Sequence, residues 1–486
     1  MAKRKRFGRP PQARHAKKST PSRHDKRRRL STPNHDRRAT ATARVPLVAG
    51  IAELVHSMSR RLDPRIAFRL PIVIAGAILA SGRRTAASWF RCAGVQDDWD
   101  RFYELLQSVG KHTPSLTHSL LIAIREKFDP GEQGQWVLAV DDSPTKRAGR
   151  HVEGATIHRH PTPGPGDGEW LYGHNWVCVA MLLNHSFGVI ALPLLSMLYV
   201  RKVAIEKLKQ RYNWKFRTKH ELAIEMLKHV IQTLRALGSK AGFVVVFDGA
   251  YAAGELIQEL MAEGATVVTR IRRDADLRDI PVNKPGRRGR PRKYGEEHHH
   301  LSKRAGHPEG WKAITYACRG VMVEGRYKTF LATCPLVGGR VRVVLLEHAS
   351  GNWAAYISTD TSMSVEAILK IVSDRWAIEE HFHDVKEIWG AGQQQVRNVW
   401  SNIGCWNLCG WLYGLVELAS WDLSAEELVD RSDRPWDNPS RRPSHADRRR
   451  RIVREMLRNE FLTDLHIAPD KGKIKECFER LLSLAT

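Results

Sequence analysis

The sequence predicts a mixed α/β fold, an α+β arrangement in which a strand-rich core is interrupted by a β-rich insertion and preceded by a helical region. Three observations predict it. Short apolar strands alternate with amphipathic helices between about Gln135 and Arg273, a second group of strand-like segments follows a polar basic loop, and helical spacing dominates on either side. With 486 residues and 42% hydrophobic content, the chain has material for about three domains with filled cores.

The elements follow in order. Residues 1–45 hold sixteen Lys or Arg against Asp25 and Asp36, a net +14 that is more than half of the chain's +26. So few apolar residues interrupt this run that burial cannot offset ordering entropy, and a disordered basic arm that touches phosphates is expected. In 46–130 the apolar residues Leu47, Ile51, Leu54, Val55 and Met58 recur at helical spacing, which predicts a helical, DNA-binding domain. Within it GRRTAASWFRCAG, Gly82 to Gly94, sets Arg83 and Arg84 before a short helix, where they serve either DNA or helix packing.

At Gln135 the texture changes. WVLAVDD (136–142) reads as a strand, HNWVCVAMLL (174–183) and VIALPLLSMLYV (189–200) as a hairpin, and Lys219 to Leu237 as a helix closed by Gly238. GFVVVFDG (242–249) is a short buried strand ending on an aspartate, followed by a helix over about 252–261 and the strand ATVVTRIR (265–272). Strand, hairpin, helix, strand, helix, strand is the order of a ribonuclease-H-like core, placed here over 131–273. Residues 274–351 read as the β-rich insertion. The core resumes over 352–423 with one long helix, roughly Ser364 to Trp389, and a Trp-rich helical stretch to Trp421; 424–486 is helical and basic. There the run Arg448 to Arg451 suggests a phosphate contact or a solvated face.

Composition narrows the function classes. A net charge of +26 attracts a polyanion, and double-stranded DNA is the leading candidate partner. The best apolar run, Leu70 to Ala80, falls short of the ~18–20 residues that span a bilayer, so no membrane partner is expected. No secretory leader pattern opens the chain, and the seven cysteines contain no C-x-x-C pair, which suggests a reduced, cytoplasmic, nucleoid-associated protein without a zinc site.

Three acids stand out by position. Asp141 and Asp248 each follow an apolar strand, and Glu379 lies in the late helix. Two strand-end carboxylates and one helical carboxylate can converge on a pair of hard cations such as Mg²⁺. Strand alternation alone leaves Asp142 open beside Asp141. In DRWAIEEHFHDVKEIWG, spacings of three, four and seven align Arg375, Glu379, Phe382, His383 and Lys386 on one face.

Arg375, Glu379 and Lys386 together form R-x3-E-x6-K. On that motif the chain resembles the cut-and-paste insertion-sequence transposases with a DDE triad, in the branches whose β-rich domain lies between the second Asp and the Glu. DDSPTKRAG (141–149) and Asp248-Gly249-Ala250-Tyr251 are similar to the family's turns after the first and fourth strands. The family's tyrosine three residues before the arginine is Val372 here. The resemblance covers about Gln135 to Trp411 and selects Asp141, with Ser143 as the hydroxyl residue. It implies a transposase in which Asp141, Asp248 and Glu379 hold two divalent ions, Mg²⁺ or Mn²⁺, and Arg375 and Lys386 position DNA phosphates, with a homodimer in the DNA complex. Lys146, Arg147 and Arg150 lie next to the first acid as further phosphate candidates. GRRGRPRK (286–293) resembles an AT-hook, which makes Arg290 and Arg292 candidate minor-groove contacts. Two rival functions carry the same arm: a DNA-binding regulator without catalysis, and a ribonuclease-H-like nuclease without strand transfer.

Overall fold

The computed structural model describes residues 47–464, apart from 96, 161–162, 164–167, 283–289, 349 and 432–435. The expected arm at 1–45 therefore lies outside the described residues, as do 465–486 and half of the GRRGRPRK loop. The fold is mixed α/β around one large sheet. Its ten strands are β1 Gln135–Lys146, β2 Thr156–Arg159, β3 Trp170–His185, β4 Gly188–Tyr199, β5 Gly242–Phe247, β6 Thr266–Ile271, β7 Lys312–Cys318, β8 Val321–Cys334, β9 Gly339–His348 and β10 Trp353–Ser358.

The sheet runs β2-β3-β1-β5-β6-β10-β9-β8-β7, with β4 on β3. Its five-strand heart, β4-β3-β1-β5-β6, has β3 antiparallel to both neighbours and β1, β5 and β6 parallel, which is the ribonuclease-H-like order. The sequence accounts for this locally. β5 is buried along Phe243–Phe247, as a parallel strand covered on both faces requires. The helix Lys219–Ala236 crosses over before it, opened by a Thr218–Glu221 capping box and closed at Gly238, whose φ of +86° suits only glycine well.

Four features differ from the sequence expectation. The strands of 274–351 do not fold apart: β10 pairs with β6 on one side and β9 on the other, so β7, β8 and β9 extend the same sheet. Pairing across more than 80 residues of chain is invisible to local periodicity. The helical region of 46–130 likewise shares its core with the sheet, and the described residues form one compact unit. The link is the buried helix Val399–Ala419, which lies so close to Trp99–Lys111 that a Cβ on Gly404 would stand 2.0 Å from the Leu106 carbonyl oxygen. Trp406 of that helix also stacks on Trp176 of β3 at 5.0 Å.

The long late helix is two helices, Val365–Asp374 and Ala377–Glu387. Arg375 and Trp376 keep helical dihedrals, yet Trp376, Ile378 and Glu379 each donate to the carbonyl three residues back. This tightening into 3₁₀ geometry makes a joint where the site residues lie.

The arginine run after Pro443 divides: Arg448 and Arg449 are bound into the fold, while Arg450 and Arg451 keep 28% and 33% of their side-chain surface. It sits in the helix His445–Asp464, whose Ile452, Val453 and Met456 are buried in the core. Arg448 pairs with buried Glu417 at 3.1 Å, and Arg449 donates to the carbonyls of Ile78 and Ala80 at 2.7 Å each, closing the C-terminal end of Arg69–Leu79. Arg450 pairs with Asp447 and Arg451 with Glu455.

Candidate nuclease site

β1 and β5 are parallel neighbours whose last paired residues are Val140 and Phe247. Asp141 and Asp248 are the next residue of each, so the two carboxylates leave adjacent strands side by side. Beyond this point the strands part: β1 continues along β3 to Lys146, while β5 ends. Asp248 then closes a turn, its Oδ1 accepting the Ala250 N–H at 2.9 Å.

Asp141 faces Arg375. Its Oδ2 accepts from Arg375 Nη1 at 2.9 Å, and Arg375 Nη2 donates to Glu379 Oε1 at 2.9 Å. One guanidinium thus bridges two of the three acids, across the tight joint between the helices. Burial, only partly countered by Arg375 and aggravated by Asp248 and Asp142, pushes the Asp141 carboxyl up to about 7. Asp142, one residue on, points to the other side of the strand. Its Oδ2 accepts from Lys219 Nζ at 2.7 Å and its Oδ1 from the Tyr251 hydroxyl at 3.2 Å.

Two hollows flank the bridge. A cleft of about 1410 Å³ is lined by Asp141, Trp376, Glu379, Lys386 and Arg442 among others, and a smaller one of about 680 Å³ by Asp248, Arg270, Tyr356, Val372 and Arg375. The guanidinium stands between them. Lys386 reaches the cleft from a largely enclosed position, and burial holds its ammonium below the usual lysine range.

Among the described residues no group of three or more His, Cys, Asp or Glu side chains is close enough to hold a metal ion. The donor set nonetheless fits a hard cation. Asp141 and Asp248 offer oxygen donors from adjacent strands, and the Arg375 guanidinium is the cation between Asp141 and Glu379.

The other expected residues separate. Lys146 lines the cleft. Arg147 does not: it donates to the carbonyls of Gly392 and Gln394 at 2.6 and 2.9 Å and to His174, so its guanidinium is used in packing the 390–394 loop against β1. Arg290 and Arg292 are exposed in the basic loop and line neither hollow, with Arg292 paired to Glu296. Arg84 packs against the same 390–394 loop, its N–H donating to Gln393 and its carbonyl accepting from Gln394. His298 and His299 pair with Asp276 and Asp279. Sequence reading missed Lys219 and Tyr251, which hold Asp142, and Arg442, which reaches the cleft beside Glu380 at 3.3 Å. Only Tyr251 had a signal, the D-x-x-Y spacing.

Strand-end carboxylates beside a cleft lined by both acids and cations, among them Lys146, Lys386 and Arg442, are an arrangement compatible with a nuclease. The family model of the DDE superfamily endonuclease matches residues 57–329, and the chain belongs to that family. Asp141 and Asp248 fall inside the matched residues; Glu379 lies beyond them. Among solved structures, the chain is similar to a piggyBac transposase determined by cryo-EM in a synaptic complex with hairpin DNA, at a TM-score of 0.35 and 10% identity, covering 91% of this chain and 80% of that one. No curated protein matches the chain. Among the described residues no helix is long and apolar enough to cross a membrane.

Proposed function

We propose that this endonuclease is a DNA transposase that cleaves at the ends of a mobile element and transfers the freed 3′ hydroxyl to target DNA. The observation that carries the proposal is the alignment of Asp141 and Asp248 on adjacent parallel strands, with Glu379 joined to Asp141 through one guanidinium. Asp141, Asp248 and Glu379 would hold two divalent ions, Mg²⁺ or Mn²⁺, which when bound activate the attacking oxygen and stabilise the leaving one. Arg375 keeps the acids apart and neutralised in the DNA-free chain, then turns to phosphate once it is displaced. Lys386 and Lys146 supply cationic charge along the cleft wall, and Lys219 with Tyr251 keeps Asp142 out of the acid set. Double-stranded DNA is the partner, with a homodimer in the DNA complex and a cytoplasmic, nucleoid-associated location.

The test is cleavage of DNA by Asp248→Ala in the presence of Mg²⁺. Nicking should fall by ~10³-fold or more while duplex binding persists; retained cleavage overturns the assignment. Joining of a labelled 3′-hydroxyl end to plasmid DNA separates transposition from hydrolysis, since a nuclease without strand transfer yields cut ends only.

A further inference from the structure

The β7–β8 hairpin ends at Arg319 and Gly320, and its tip reaches the helix pair that carries Arg375 and Glu379. Arg319 has φ of +51°, a left-handed backbone that a residue with a side chain rarely adopts. Its N–H donates to Ser373 Oγ at 3.0 Å, and its guanidinium carbon lies 3.4 Å from the centre of the Trp376 ring. Ser373 ends the first helix and Trp376 is half of the joint. The carbonyl of Trp376 accepts the N–H of Glu379 at 2.9 Å. One residue of the insertion therefore grips both sides of the joint whose next turn presents Glu379 to the cleft. β7 also packs on the first helix of the pair and buries Ile314 and Tyr316, while Val321 and Met322 beyond the tip are each 64% exposed.

We propose that Arg319 is a positioning residue for the acid-bearing helix, so that the β-rich insertion sets where Arg375 and Glu379 stand. The proposal rests on the reading of Glu379 as the third acid of the site. The helices themselves do not depend on the contact, since Ile368, Leu369, Ile378 and Val385 are buried in the core. Loss of the stack should loosen the joint and leave the fold intact. A planar guanidinium over an indole face is a contact that lysine reproduces poorly.

Arg319→Gly is the informative variant: glycine accepts the left-handed backbone without strain, removes the side chain that stacks on Trp376 and keeps the backbone N–H to Ser373. Nicking of plasmid DNA with Mn²⁺ should lose roughly tenfold in kcat, with KM for DNA and the thermal midpoint unchanged. Arg319→Lys should recover only part of the rate. Unchanged kcat overturns the proposal, and so does a raised KM with kcat intact, which would make Arg319 a direct DNA contact. Hydrogen exchange at Ile378 and Glu379 gives a readout that does not depend on catalysis. Faster exchange in Arg319→Gly supports the brace, and unchanged exchange overturns it. If the wild-type protein nicks no better than Glu379→Gln, the reading of Glu379 fails, while the exchange result still decides on the brace.

Discussion

Arginine meets carboxylate in two parts of this molecule with opposite surroundings. At the cleft, Arg375 lies between Asp141 and Glu379, whose side chains keep 19% and 34% of their surface. Elsewhere in the lining of the same cleft, Arg448 and Glu417 keep only 4% and 3%, and His445, which also contacts Glu417 at 2.6 Å, keeps 2%. Trp389 closes the second network by donating its indole N–H to His445 Nε2 at 2.8 Å, which puts the imidazole proton on Nδ1, facing Glu417. The difference is one of replaceability. Water, a cation or a phosphate can take over the partners of Arg375, whereas a sealed charge has only the partner it was built with. The open pair suits a site that must exchange ligands, and the sealed one ties the C-terminal helix to the core.

The sharpest way to break this comparison is to remove one partner from each. Glu417→Ala strands Arg448 without its counter-charge and should cost ~3–5 kcal/mol, seen as a large fall in the urea midpoint. Arg375→Gln should cost about 1 kcal/mol or less, because Asp141 can take up a proton and Glu379 can turn to water. Comparable losses in the two variants would remove the distinction. Arg375→Gln should also bind Mn²⁺ more tightly than the wild type in calorimetry without DNA; weaker binding would mean that the guanidinium helps to assemble the acids rather than competing for them.

A smaller, graded effect should come from pH. Burial, reinforced by Arg147, pushes the His174 imidazole down to about 3, and burial with Lys219 and Arg201 pushes His158 down to about 4. In the unfolded chain both return to about 6.5. Above that value neither state is protonated and the stability is whole. As pH falls below 6.5 the unfolded chain takes up protons that the folded one refuses, so stability declines towards pH 3–4, by at most ~1.4 kcal/mol per unit for each histidine. Thermal midpoints should drop between pH 6.5 and 4.5, and His174→Gln should flatten the slope. A level wild-type profile over that range would argue that these imidazoles are not sealed.

What the sequence made legible follows the range of the forces involved. Asp141 and Asp248 became candidates because an apolar strand ending on an acid is a local pattern, and Glu379 because its helix carries three spaced residues. The joint at Arg375 and Trp376 was hidden. Nothing in the sequence there is a helix breaker, and the turn is gripped by Arg319 from a hairpin more than 50 residues away. The partners that hold Asp142, Lys219 at the start of the crossover to β5 and Tyr251 in the turn after β5, are supplied by the fold and not by the local sequence. Arg448 and Arg449 misled for the same reason. Charge in sequence looks solvated, and only the fold supplies Glu417 and the carbonyls of Ile78 and Ala80.

The mildest change should come at the basic loop, and it separates arginines that meet DNA from arginines that hold the fold. Arg292 is exposed and pairs with a surface acid four residues on, so Arg292→Ala should move stability by no more than ~0.5 kcal/mol. If Arg292 reaches a phosphate, the variant's duplex affinity should weaken about evenly across sequences. The slope of log affinity against log salt should then fall by about 1, because one fewer counterion is released. If it reads an A·T minor groove instead, the loss should be confined to A·T-rich duplexes. Arg449→Ala is the matched control: its guanidinium already serves two backbone carbonyls, so it should lower the thermal midpoint and leave the salt slope alone. A lower salt slope for Arg449→Ala, with none for Arg292→Ala, would reverse the roles given to the two regions.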